Sequence, residues 1–190
     1  MGNGKKGCAL SSGTQSRVCA DTVRIKWVGF RDYDCGATIS SQWFSDPMQL
    51  GAFVATVDCR GGEDRPGRAI EEALQHANRD ENAPSRIVLI GATAPHKERQ
   101  GNAISGYGKV LETDYETECK ELLAKKIPVF TFQIGNDPDT RRAFTRISEL
   151  TAGKFGAFSG SLLHAVCLQA LEQTGGEDLA TQYQKRYMSA

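Results

Sequence analysis

Short apolar runs alternate along the chain with stretches of helical spacing, and the alternation predicts strands and helices in turn. "TVRIKWVGF" (22–30) places Val23, Ile25, Trp27 and then Val28 and Phe30 at strand-like intervals. "RDYDCGA" follows as a polar turn, and "TISSQWF" (38–44) predicts a short edge strand. Ser45-Asp46-Pro47 predicts a helix start, because the fixed φ and missing N–H of proline suit a first turn. That helix is expected to run to about Asp58, with Met48, Leu50, Phe53, Val54 and Val57 apolar. After the breaker "CRGGEDRPG", the segment "RAIEEALQHANRD" returns to helical spacing through Ile70, Ala73, Leu74 and Ala77. "RIVLIG" (86–91) predicts a buried strand, and a glycine-bearing loop then reaches about Leu111. "ETDYETECKELLAKK" predicts a helix with acids early and lysines late, as the helix dipole favours. "IPVFTFQIG" predicts a strand, and "DPDTRRAFTRISELTAG" a helix closed by Gly153. "KFGAFS" then predicts a short last strand and "SLLHAVCLQALEQ" a last helix.

Strands alternating with helices imply crossover connections, hence an α/β fold with a doubly wound, mostly parallel sheet. "VRIKWVGF", "RIVLIG" and "IPVFTFQIG" are expected as its inner strands, since near-continuous apolar character suits strands covered on both faces. The expected organisation is an N-terminal stretch (1–21), one domain (22–172) and a polar tail (173–190). Ligands of such sheets gather outside the carboxyl ends of the strands. Ala92, Thr93, Ala94, Pro95 and His96, just past Gly91, stand where functional groups are expected.

Composition narrows the classes. A chain of 190 residues fits one domain with a substantial core. Lys+Arg and Asp+Glu balance at 23 each, which argues against a nucleic-acid binder with its basic excess. No apolar run approaches the roughly 20 residues of a membrane span, and no apolar signal core follows Met1. A cytoplasmic location is therefore expected. Cys8, Cys19, Cys35, Cys59, Cys119 and Cys167 form no CxxC pair, so neither a zinc site nor a structural disulfide is expected. "MGNGKKGC" places Gly2 behind Met1, yet Lys6 stands where the myristoylation pattern wants Ser or Thr. "GNGKKG" lacks the spacing of a phosphate loop.

Four segments in order resemble a von Willebrand factor A domain of the type found beside alpha-kinases. "VGFRDYD" (28–34) is similar to that family's second strand and Arg-Asp turn, and "GGEDRPGRAIEEAL" (61–74) resembles its G-G-x-D-x-P-E helix start. Gly67 there replaces the usual glutamate. "IVLIGATAPH" resembles the family's "LI-x-D-A-P-P-H" strand end. "LLAKKIPVFTFQIG" with "FTRISELTAGKF" resembles the next strand and the helix after it. Together these segments cover residues 22 to about 160.

The resemblance implies a divalent-metal site at the sheet's switch point. Its ligands would come from D-x-S-x-S after the first strand, a middle-loop threonine or acid, and an aspartate after the fourth strand. Magnesium needs such hard oxygen donors, with a partner's carboxylate completing the shell. Here Ala92 aligns with the fourth-strand aspartate, and a methyl group cannot ligate a cation. The nearest trace of the first motif is Leu10-Ser11-Ser12-Gly13-Thr14, in which Leu10 replaces the aspartate while Ser12 and Thr14 keep hydroxyls. Eight residues separate Thr14 from Val23, fewer than the 10 to 12 of a usual crossover. A truncated or rearranged N-terminus is the expectation.

Ser12, Thr14 and Asp64 are thus the remaining metal-ligand candidates, in a site expected to bind magnesium weakly or not at all. For Asp64 the competing and favoured reading is a helix N-terminal acid that satisfies free amides ahead of Pro66. Asp32 belongs to the Arg-Asp turn, which is expected to order its loop through Arg31. His96 lies at the switch point without an evident carboxylate or cysteine partner, and a loop-structuring role is favoured over catalysis. His164 and Cys167, three apart on a helix, read as core or boundary residues, and Trp27 and Trp43 as packing aromatics.

The expected function is a non-enzymatic protein-interaction domain with a degenerate metal site. It would bind a protein partner through Asp32, Asp64, Thr93 and His96 at the carboxyl edge of the sheet, with no cofactor. The alternatives are a regulatory piece of an alpha-kinase-like protein, a small hydrolase using His96, or a nonfunctional fragment of a longer reading frame. A kinase Gly-rich loop, G-x-S-x-G and HExxH are all missing from the chain, so catalysis is not expected.

Overall fold

A computed structural model describes residues 24–31, 36, 38–58, 69–95 and 113–158. In chain order its elements are β1 (Val28–Phe30), β2 (Thr38–Ser40), α1 (Pro47–Ala55), α2 (Ile70–Arg79) and β3 (Ile87–Gly91). They continue with α3 (Tyr115–Ala124), β4 (Val129–Gln133), α4 (Pro138–Leu150) and β5 (Phe155–Ala157). The described residues divide into two units, one of residues 24–27 with 41–57 and one of all the rest.

In the larger unit, β3, β4 and β5 form a parallel sheet in that order. Ile87 lies opposite Val129, Gly91 opposite Gln133, and Thr131 opposite Phe155. Crossovers through α3 and α4 join these strands, as parallel pairing requires. Side chains alternate between the two faces, so β3 and β4 each feed two clusters. Leu89 and Val129 join Ile70, Leu74, Leu122, Phe144 and Ile147 on the helical side. Phe130 and Phe132 pack on the other face with Val88, Ile90 and Phe158, a cluster that draws on no described helix. The architecture shown is a three-stranded parallel sheet flanked by helices.

The helix starts follow local chemistry. The Asp114 carboxylate accepts from the amides of Glu116 and Thr117, each at 3.0 Å, at the head of α3. Asp137 accepts from the Thr140 amide at 2.8 Å at the head of α4. Such caps satisfy amides that have no partner within their own helix. At its far end α4 closes tightly on the sheet. Thr151 Oγ1 accepts from the Val129 amide at 3.1 Å, and the Gly153 amide donates to the Ser148 carbonyl at 2.8 Å. A Cβ on Gly153 would sit 1.9 Å from the Val129 carbonyl oxygen, so only glycine permits this approach.

A buried carboxylate ties α2 to α3. Glu118, 3 % exposed, accepts from Thr113 Oγ1 at 2.6 Å, Asn78 Nδ2 at 2.7 Å and Gln75 Nε2 at 3.3 Å. Lys125 Nζ in turn donates to the Asn78 carbonyl. A charge taken out of water is tolerated only with this kind of hydrogen-bond saturation.

The first predicted strand is corrected. Within "VRIKWVGF" only Val28–Phe30 is a strand, and it pairs antiparallel with β2, Val28 opposite Ser40 and Phe30 opposite Thr38. Ile25 bridges Phe44, also antiparallel. Among the described residues this segment is therefore no inner strand of the parallel sheet. The physical reason is legible afterwards. A short connection between adjacent strands favours a hairpin, and Gly36, at φ 82°, takes up a left-handed step in it.

In the smaller unit, Trp27 and Ser41 hold each other by backbone and side chain. The Ser41 amide donates to the Trp27 carbonyl at 2.9 Å, and the Trp27 amide to Ser41 Oγ at 2.9 Å. Trp27 meets Phe53 of α1 edge-on at 6.1 Å, and Arg24 lies 5.7 Å over the Trp43 ring. Both tryptophans are half-buried packing aromatics, as expected. α1 begins where predicted, capped by Asp46, but ends at Ala55 and buries none of its residues. The predicted last helix, with His164 and Cys167, lies outside the described residues, as do residues 1–23 and 159–190.

Candidate functional site

The carboxyl ends of β3, β4 and β5 are stitched into one edge. The Ile134 amide donates to the Gly91 carbonyl at 2.8 Å, and the Phe158 amide to the Gln133 carbonyl at 2.8 Å. Thr140 Oγ1 reaches the Ala92 carbonyl at 3.3 Å, drawing the start of α4 against the end of β3. Gln133 Nε2 donates to the Asp137 carbonyl at 2.7 Å, which fixes the turn between β4 and α4. Gly135, at φ 77°, supplies the left-handed residue of that turn.

Gly91 has a packing reason. An added Cβ would lie 3.0 Å from the Phe30 ring and 3.3 Å from that of Phe144, so two aromatic rings close over the bare backbone. The chain then leaves the sheet with Ala92 exposed, Thr93 half-buried, and Ala94 and Pro95 buried. Ile134 is exposed beside them.

Of the six predicted site residues, the structure places Thr93 at this edge, directly after Ala92. Ser12, Thr14, Asp32, Asp64 and His96 lie outside the described residues. Arg31, next to Asp32 in sequence, is described. Its guanidinium donates to the carbonyls of Gly36 at 3.2 Å and Asp58 at 3.4 Å, while its carbonyl accepts from the Ala69 amide at 3.1 Å. Arg31 therefore ties the hairpin turn and the chain ahead of α2 to the end of β1.

Gln133, Asp137 and Thr140 organise the edge, and sequence reasoning did not single them out. The available signal was Asp137-Pro138-Asp139-Thr140, a helix-capping pattern that marks a start rather than a site. The Asp137 carboxylate is engaged by both the amide and the hydroxyl of Thr140. No group of three or more His, Cys, Asp or Glu side chains is arranged to hold a metal ion among the described residues.

Cys119 is the one cysteine among the described residues. Burial, reinforced by the nearby carboxylates of Glu116, Glu118 and Asp114, pushes its thiol from 9.0 up to about 12. A thiol held protonated in this way is a poor nucleophile near neutral pH. Among the described residues the edge presents backbone carbonyls and amides, the Thr140 hydroxyl and the exposed apolar side chain of Ile134. No described helix is long and apolar enough to cross a membrane.

The chain matches no family model, no curated protein and no solved structure. What the fold defines by itself is an α/β protein with a three-stranded parallel sheet flanked by helices.

Proposed function

We propose that this chain is a non-enzymatic protein-interaction domain of the von Willebrand factor A type, doubly wound and intracellular, with a degenerate metal site. The observation that carries the reading is Ala92. It is exposed at the carboxyl end of β3, the position where the resembled family keeps a metal-ligating aspartate. With a methyl there, and with Leu10 in the place of the first-strand aspartate, magnesium loses the carboxylates on which its affinity depends. A partner would then be held by hydrogen bonds and apolar contacts around Thr93, Asp32, Asp64 and His96, without a bridging cation.

Calorimetric titration of the chain with magnesium and manganese tests the metal half of this reading. Binding in the millimolar range or weaker is expected, and Ala92→Asp alone should not produce tight binding. Micromolar affinity in the unmodified chain would overturn the degenerate site. A pull-down with Thr93→Ala, Asp64→Ala and His96→Ala variants, with and without EDTA, tests the other half. Partner capture should survive the chelator and weaken in the variants. Capture lost to EDTA would show a working cation bridge, and capture unchanged in all three variants would place the interface elsewhere.

A further inference from the structure

We draw no further inference here: the strongest candidate, the exposed apolar surface of α1 around Met48 and Val54, carries no proposal because nothing in the structure shows what covers it.

Discussion

β4 reads VFTFQ and α1 reads PMQLGAFVA; every residue of β4 is buried, and none of α1 is. Both segments are rich in apolar side chains and neither carries a charge. What separates them is long-range pairing. β4 lies between β3 and β5, so its backbone is bonded on both edges and its side chains alternate into two clusters. α1 satisfies its backbone internally and has no polar face to define an inner one. At nine residues it is also shorter than the roughly 12 to 15 at which isolated helices become even marginal. Its support is mainly local, the Asp46 carboxylate accepting from the Met48 amide at 2.8 Å, with one ring contact from a distant residue, Trp27 on Phe53. Apolar content sets a demand for burial, and only pairing with distant segments meets it.

The comparison breaks most severely if the cluster under the sheet is emptied. Phe144, on α4, is fully buried beside Gly91 and helps close the helical side of the sheet. Phe144→Ala should lower unfolding stability by about 3–5 kcal/mol, through lost transfer energy and the cavity left behind. Chemical denaturation monitored by circular dichroism measures it. A loss below about 1 kcal/mol would show that this cluster does not carry the fold.

The next largest effect comes from overfilling. Gly153→Ala puts a methyl into the Val129 backbone, so the end of α4 or the start of β4 must move. A loss of about 1–3 kcal/mol is expected, the usual range for forced repacking. Thr151 loses its hydrogen bond to the Val129 amide if the helix end retreats. Faster hydrogen exchange at Val129 in the variant would identify that route, and unchanged exchange with unchanged stability would deny the close approach.

How much of this was legible beforehand follows the same division between local and distant causes. α2, α3, α4, β3, β4 and β5 were readable because the apolar period sits within each segment, with a capping acid at the head of α3 and of α4. Asp114 and Asp137 are such acids, whereas the left-handed step expected of Gly153 falls on Ala152, at φ 57°, and Gly153 serves the close approach to Val129 instead. The partner of β1 was not readable, since the apolar spacing of Val28 and Phe30 fits a hairpin as well as an inner strand. At the candidate site, the place of Ala92 and Thr93 just past β3 was legible because the apolar run before them stops at Gly91. The roles of Gln133 and Thr140 were not, because they exist only once the ends of β3 and β4 lie side by side.

Cys119 gives a smaller, pH-dependent test of how closed the buried side is. The folded chain keeps its thiol proton up to about pH 12, whereas the unfolded chain releases it near 9.0. The folded state therefore binds the extra proton in that window, and the Cys119 contribution to stability falls as pH rises through it. In the native chain near neutral pH, where the unfolded thiol would begin to react, iodoacetamide should leave Cys119 unmodified while denaturant exposes it. Peptide mapping by mass spectrometry reads the site directly. Rapid native labelling would mean that α3 opens readily from the sheet.

The smallest effect belongs to α1. Met48 is 79 % exposed, so replacing it with serine removes almost no buried apolar area from the folded chain. Helix propensity changes little, and the capping bond to its amide uses backbone rather than side chain. Met48→Ser should therefore shift stability by no more than about 0.5 kcal/mol, the range of surface substitutions. A serine introduced into β4, as Phe130→Ser, would remove a large buried apolar side chain and leave a hydroxyl in its place, at a cost of several kcal/mol. Parallel urea titrations of the two variants measure the contrast directly. Near-equal losses would mean that α1 is covered in solution as thoroughly as β4, and the division drawn between local and long-range support would fail at that point.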